Sequence, residues 1–267
     1  MNILISADME GISGVVSNSH TLAEHKEFER FRALMTDDVN AAVDGALAAG
    51  AARIVVNDSH SSMTNILIEK LHSSAELISG SPKPFSMMEG ISADVDAVFF
   101  IGYHASAGTQ QAVLAHTWSG ALLEVRLNDT SVGEIGLNAA LAGAFDVPVV
   151  LVTGDEAATA EARALLGSVE TVAVKKAVGE VAAQCVHPET VHERIRSAAS
   201  RALASSGVPF VLEPPIVLRV TFQRPLFADR AQLIPGCSRL DGRTLEWVGD
   251  DMRAVYQAFT AMARLAS

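Results

Sequence analysis

The feature that most limits the fold is a set of short, largely apolar runs separated by helical stretches. NILIS (2–6), ARIVVND (52–58), DAVFFIGY (96–103) and VPVVLVTG (147–154) lack the alternation expected of a strand with one wet face. Strands buried on both faces belong to parallel sheets covered by helices. Between the first two runs, residues 24–49 place Phe28, Phe31, Leu34, Met35, Val39, Ala42 and Val43 at helical spacing, and Gly50 stands where a C-cap would. The result is a βαβ unit with parallel strands and a right-handed crossover.

The remaining pattern predicts a helix near 63–72, a strand at 75–79 and a proline-broken loop, GSPKP. A strand at 121–129 alternates Leu122, Val125 and Leu127 with polar residues, as an exposed or edge strand would. Helices follow at 133–145 and 155–166. Beyond them TVAVKKAV, a helix near 188–205, the strand EPPIVLRVTF (213–222) and a helix from about Asp250 to Leu265 suggest a smaller α+β layer. The expected fold class is therefore α/β. A mainly parallel sheet flanked by helices fills residues 1–165, and a second, smaller α+β domain fills 166–267.

Composition narrows the partners. A net charge of −11 over 267 residues argues against a nucleic-acid surface, which needs clustered Lys and Arg. Cys185 and Cys237 form no CxxC pattern, so neither a disulfide framework nor a thiolate zinc site is expected. No apolar run reaches the ~18 residues of a membrane span, and MNILISADME is a first strand rather than a signal peptide. The expected home is the cytoplasm.

In a parallel α/β sheet, ligands bind beyond the carboxyl ends of the strands. The run 2–6 leads into ADMEGISG, with Asp8 and Glu10; the run 52–58 leads into NDSH, ending at His60; the run 96–103 leads into His104. Glu134 opens a helix after strand 121–129, and AHTWSG between them supplies His116. Taken singly, each has an ordinary explanation. Asp8 suits a turn, Glu134 complements a helix dipole, and one histidine after a strand is most often a hydrogen-bonded rim residue. His20, His25, His72, His187 and His192 end no confident buried strand and take that structural reading. Three strand ends and a helix start converging on acids and histidines are harder to explain by turns. These are oxygen and nitrogen ligands of the kind zinc prefers, although such ligands also accept manganese or cobalt. Asp8 and Glu10, at i and i+2 of an extended chain, would project together, letting one carboxylate bridge two ions. Two such ions clamp an attacking water and a polarised carbonyl or phosphoryl oxygen. Gly11 and Gly14 let the backbone turn beneath them.

The motifs SADMEGISG, VVNDSHSSM, ISGSPKPFSMMEG, GYHA and VGEIGLNAALAG, in this order, resemble the DppA-type D-aminopeptidases, a family of dinuclear zinc metallopeptidases. The likeness continues more weakly through AVKKAV, LIPG (233–236) and DDMRAVYQA, and so spans essentially the whole chain. It implies two zinc ions per subunit held by Asp8, Glu10, His60, His104 and Glu134. It maps a further active-site histidine to His116, whose flanks AHTWSG depart from the serine-flanked family pattern. It implies removal of the N-terminal residue from short peptides, including D-residues, by a ring-like homodecamer with inward-facing sites. Two other readings stay open at this point: a peptide- or metal-binding homologue without turnover, and a two-metal phosphoesterase. The latter would need basic residues near the metals, for which Lys83 and Arg126 are the sequence candidates.

Overall fold

The computed structural model describes residues 1–266. Along the chain, β1 (Asn2–Ala7) leads through a one-turn helix α1 (Asn18–Thr21) into α2 (Phe28–Ala48), then β2 (Arg53–Asp58), β3 (Ala75–Ile78) and β4 (Ala97–Tyr103). The middle third holds β5 (Leu122–Leu127), β6 (Thr130–Ser131), α3 (Glu134–Gly143), β7 (Val149–Asp155) and α4 (Glu156–Leu166). There follow β8 (Glu170–Gly179), β9 (Ala182–Cys185), α5 (Pro188–Ala202) and β10 (Ile216–Phe222). The chain closes with α6 (Pro225–Ala231), β11 (Ser238–Arg239), β12 (Thr244–Gly249) and α7 (Met252–Leu265).

One sheet has the order β3-β2-β1-β4-β7-β8-β9, parallel throughout except for the β8–β9 hairpin. Both of its faces are dry, which is why its central strands read as continuous apolar runs. Ile3, Ile5, Phe99 and Ile101 pack with α2 and α5, while Leu4, Val98 and Phe100 face the opposite core with α3 and α7. The second sheet, β11-β12-β10-β5-β6, is antiparallel and closes that opposite core. The layers are thus helices, a large parallel sheet, helices, and a small antiparallel sheet.

Three expectations change. Residues 63–72 form turns, not a helix. The α2 side chains take the backbone acceptors that a helix would use: Arg32 donates to the carbonyls of Thr64 and Asn65, and Asn40 to that of Lys70. The strand over 121–129 is an inner strand of the antiparallel sheet, with Leu122, Val125 and Leu127 turned into the core between the sheets. TVAVKKAV is the penultimate strand of the large sheet, so sheet membership crosses residue 165 in both directions: β8 and β9 join the first sheet, β5 and β6 the second.

Candidate metal centre

Strands β2, β1 and β4 are neighbours, and all three end on the same edge. That juxtaposition brings together Asp8 and Glu10 from β1, His60 from β2 and His104 from β4. The chain between β4 and β7 supplies the other two, His116 and Glu134. Glu134 is the first residue of α3 and lies in its positive N-terminal turn.

A backbone contact fixes the β1 end. The Gly11 amide donates to the Gly102 carbonyl at 2.7 Å, and a Cβ on Gly11 would stand 1.9 Å from the Tyr103 carbonyl oxygen. On the facing strand Gly102 has φ +75°, and a Cβ there would stand 2.2 Å from the Asp8 carbonyl oxygen. Only glycine permits so close an approach of two backbones.

The donor atoms are mutually close. His60 Nδ1 lies 3.0 Å from Glu10 Oε2 and 3.3 Å from Asp8 Oδ1. His104 Nε2 lies 3.3 Å from Asp8 Oδ2 and 3.4 Å from Glu134 Oε1. The Asp8 carboxylate therefore stands between two imidazoles, one oxygen toward each. Two groups, Asp8–Glu10–His104 and His104–His116–Glu134, each hold their ligand atoms within 4.8 Å of one another. His116 is the outermost, with Nε2 3.9 Å from Glu134 Oε1 and its ring stacked on His104 at 4.0 Å.

Each histidine has one nitrogen committed elsewhere. His60 Nε2 meets the Thr21 carbonyl at 2.9 Å, His104 Nδ1 that of Ala105 at 3.0 Å, and His116 Nδ1 that of Leu114 at 2.8 Å. A carbonyl only accepts, so those nitrogens carry a proton, and the other nitrogens turn to the carboxylates, where either a second proton or a metal ion can sit. Between such carboxylates and imidazoles positive charge must sit, as protons on the rings or as a metal cation in their place. Asp8 Oδ2, Glu10 Oε2 and His104 Nε2 are buried with no hydrogen-bond partner among the described residues. In a folded protein such orphans are rare and expensive. An oxygen and nitrogen donor set of this kind, with backbone carbonyls orienting the rings, fits zinc.

The electrostatics agree. Burial alone would raise the Asp8 carboxyl, but the imidazoles of His104 and His60 at its two oxygens outweigh it and hold it below the usual carboxylate range. Burial likewise opposes ionisation of Glu10, and the charge of His60 overcomes it to bring the group down. Conversely, burial would depress His60 and His104; Glu10 and Asp8 around the first, and Glu134 and Asp8 around the second, raise both well above the ordinary imidazole value. Fields that favour protons on those rings favour a metal cation as well.

The centre opens into a cavity of about 340 Å³, whose wall includes Leu22, Met63, Met87, Trp118, Ser81, Ser86 and Arg264. The loop carrying His116 is strained: Gln111, Leu114 and Trp118 have φ of 54°, 50° and 67°. That conformation lets the Trp118 amide donate to Glu134 Oε1 at 2.6 Å, and Asp155 steadies the loop by accepting the Val113 amide.

The two basic candidates from the sequence lie elsewhere, as does Asp58 at the end of β2. Asp58 turns away from the cavity, accepting the amides of Asn65 and Ile66 and the Asn65 side chain. Lys83 donates to Asn57 Oδ1 and the Asp58 carbonyl, and burial pushes its ammonium down to about 8. Arg126 pairs with Glu124 and the Asp129 carbonyl on the small sheet. Sequence reasoning missed Glu161, which reaches from α4 to accept the Ser106 amide beside the centre; burial raises its carboxyl. An acid in an Ala-rich helix carries no signal of its own.

Comparison with known proteins gives a consistent picture. A family model described as D-aminopeptidase matches residues 1–261. A D-aminopeptidase of Bacillus subtilis (strain 168) is 38% identical, covering 100% of this chain and 98% of that protein. A solved structure described as the Zn-dependent D-aminopeptidase DppA from Bacillus subtilis, a self-compartmentalizing protease, superposes with a TM-score of 0.97. It has 38% identity and covers 100% of this chain and 98% of its own.

Proposed function

The chain belongs to the D-aminopeptidase family, and from that premise we propose that it is a dinuclear zinc enzyme removing N-terminal residues, D-residues included, from short peptides. One observation carries the metal assignment: three buried donor atoms, on Asp8, Glu10 and His104, face one another without partners. Asp8, with one oxygen toward His60 and one toward His104, would lie between the ions. Glu10 and His60 would complete one shell, and His104 and Glu134 the other. Zinc so held supplies a Lewis acid for the scissile carbonyl and an activated water.

The protein's own groups do the rest. His116 has its Nδ1 proton fixed by the Leu114 carbonyl, so Nε2 is the nitrogen open to the cavity. In that position it can hold a proton for the departing amine. The Trp118 amide keeps Glu134 Oε1 turned inward. Leu22, Met63 and Trp118 give the substrate an apolar wall, and Ser81, Ser86 and Arg264 a polar one. Arg264 is the one Lys or Arg on the described lining, and both basic candidates from the sequence point away. The phosphoryl-transfer reading therefore lacks support.

The self-compartmentalizing description of the Bacillus relative supports a closed homo-oligomer, which we propose to be a decamer; a monomer mass in sedimentation would overturn that. No helix among the described residues is long and apolar enough to cross a membrane. The free thiols of Cys185 and Cys237 suit a reducing compartment, and we place the protein in the cytoplasm.

The decisive measurement is metal analysis combined with a panel of D- and L-aminoacyl p-nitroanilides and dipeptides. The expected results are about two zinc per chain, cleavage of D-substrates, and a kcat roughly 10²-fold lower in His116→Ala. Metal-free folded protein, or turnover of phosphodiesters but no peptide, would sink the assignment. Full activity in His116→Ala would remove that residue from the chemistry.

A further inference from the structure

AVKKAV, at residues 173–178, is a motif that the metal centre does not explain. In β8 its two lysines point oppositely, as successive strand residues must. Lys176 is solvated and pairs with Glu156 at 3.6 Å. Lys175 is buried, 2% exposed, and a lysine is almost never found there without a purpose. Its ammonium donates to three backbone carbonyls: Glu10 at 2.6 Å, Ile12 at 2.9 Å and Val15 at 2.6 Å. All three belong to the turn that follows Asp8 and carries Glu10.

The other side of that turn meets an acid. Asp38, buried in α2, accepts the Ser13 amide at Oδ2 and the Ser13 hydroxyl at Oδ1, both at 2.9 Å. The backbone of residues 10–15 thus runs between a cation that gathers its carbonyls and an anion that takes its amide. Neither group touches the cavity. Burial pushes the Lys175 ammonium down to about 8, with Asp155 and Asp38 among the acids that oppose the shift.

We propose that Lys175 and Asp38 are positioning residues, a buried charged clamp that sets the 10–15 turn before metal arrives, so that zinc meets Glu10 already in place. The inference rests on the zinc reading above. A ligand held in its bound geometry spends no ordering entropy at the moment of binding. Groups that orient metal ligands from behind are worth 10- to 100-fold in metal affinity or activity.

The test measures zinc affinity by competition with a chromophoric chelator. Lys175→Met, which keeps the side chain's length and loses the charge, is expected to bind zinc 10- to 100-fold more weakly. Val220→Ala, buried in β10 of the small sheet and in the opposite core from the turn, should lower Tm and leave zinc affinity within twofold. Lys175→Met that lowers Tm while binding zinc as tightly as wild type would overturn the clamp. Wild type that binds no zinc would instead overturn the function it rests on. Should Lys175→Met fail to fold, hydrogen exchange of metal-free wild type decides. Amides of 11–15 protected as well as those of β1 support the clamp; amides that exchange freely until zinc is added refute it.

Discussion

Ser6 and Asp8 lie two residues apart on β1, and Tyr103 and His104 are neighbours at the end of β4, yet the buried polar clusters they begin are built in opposite ways. Ser6 Oγ shares hydrogen bonds with Ser59, the Met87 carbonyl and the Tyr103 hydroxyl. Tyr103 accepts from the Asn138 amide at 2.8 Å, and Asn138 Oδ1 accepts from the Tyr256 hydroxyl at 2.7 Å. Every one of these side chains is satisfied, and the chain of bonds ties β1 and β4 to α3 and α7. Just past the ends of the same strands, Asp8 Oδ2 and His104 Nε2 are left without partners. The closed cluster holds the fold together; the open one is the candidate metal centre. A buried polar network satisfied internally rigidifies a protein, whereas a half-satisfied one is tolerated only where something else completes it.

The largest test of that contrast is Asp8→Asn. Losing the central carboxylate should cost ~4 kcal/mol of transition-state stabilisation, on the order of 10³-fold in kcat/KM. Wild type should also gain ~2.7 kcal/mol of stability when zinc is raised to 100 times its Kd. Most of that gain should vanish in Asp8→Asn, measured by thermal unfolding with and without zinc. An unchanged zinc response would mean that the open cluster is not a metal centre.

Asn138→Leu probes the other side of the comparison. It leaves the Tyr256 hydroxyl without an acceptor in the core and should destabilise the metal-free protein by about 2 kcal/mol in urea. Zinc affinity should hold near the wild-type value. If affinity falls in proportion to stability, the clusters are one unit and the distinction fails.

A smaller effect sets the pH at which these comparisons are made. His192 Nε2 lies 3.1 Å from the buried Asp38 carboxylate, outside both clusters. Its hydrogen bond with Asp38 raises the imidazole, burial and the Arg196 charge oppose the shift, and Asp37 adds to it. The folded state thus binds the proton more tightly than the unfolded one. The stabilisation is complete below about pH 6.5 and is lost as pH rises through the higher folded value. The pair is partly solvated, so it contributes under about 1 kcal/mol. His192→Gln should trail wild type in acid and converge with it in alkali; a gap that widens with pH would reverse the assignment.

Much of the site was legible because a parallel sheet collects the residues at its strand ends. Asp8, His60 and His104 each follow an apolar run, and the pairing of β2, β1 and β4 brings them together. Lys175 was not legible. A lysine in an alternating strand reads as solvent-facing, and only the placement of β8 behind the 10–15 turn gives it three carbonyls. The 63–72 segment misled for the opposite reason: its local pattern was helical, but Arg32 and Asn40 on α2 took its carbonyls. The sheets cut across the expected division at residue 165 because β5, early in the chain, pairs with β10, late in it. Local pattern says which segments are apolar; it does not say which distant segment they meet.

The contact between Gly11 and Gly102 also bears on how the candidate metal centre comes to be assembled. The turn that orders Asp8 and Glu10 leans on the backbone of β4, some ninety residues away in the sequence. The geometry of the candidate centre is therefore tied to a contact of long sequence separation, formed only when β1 and β4 pair.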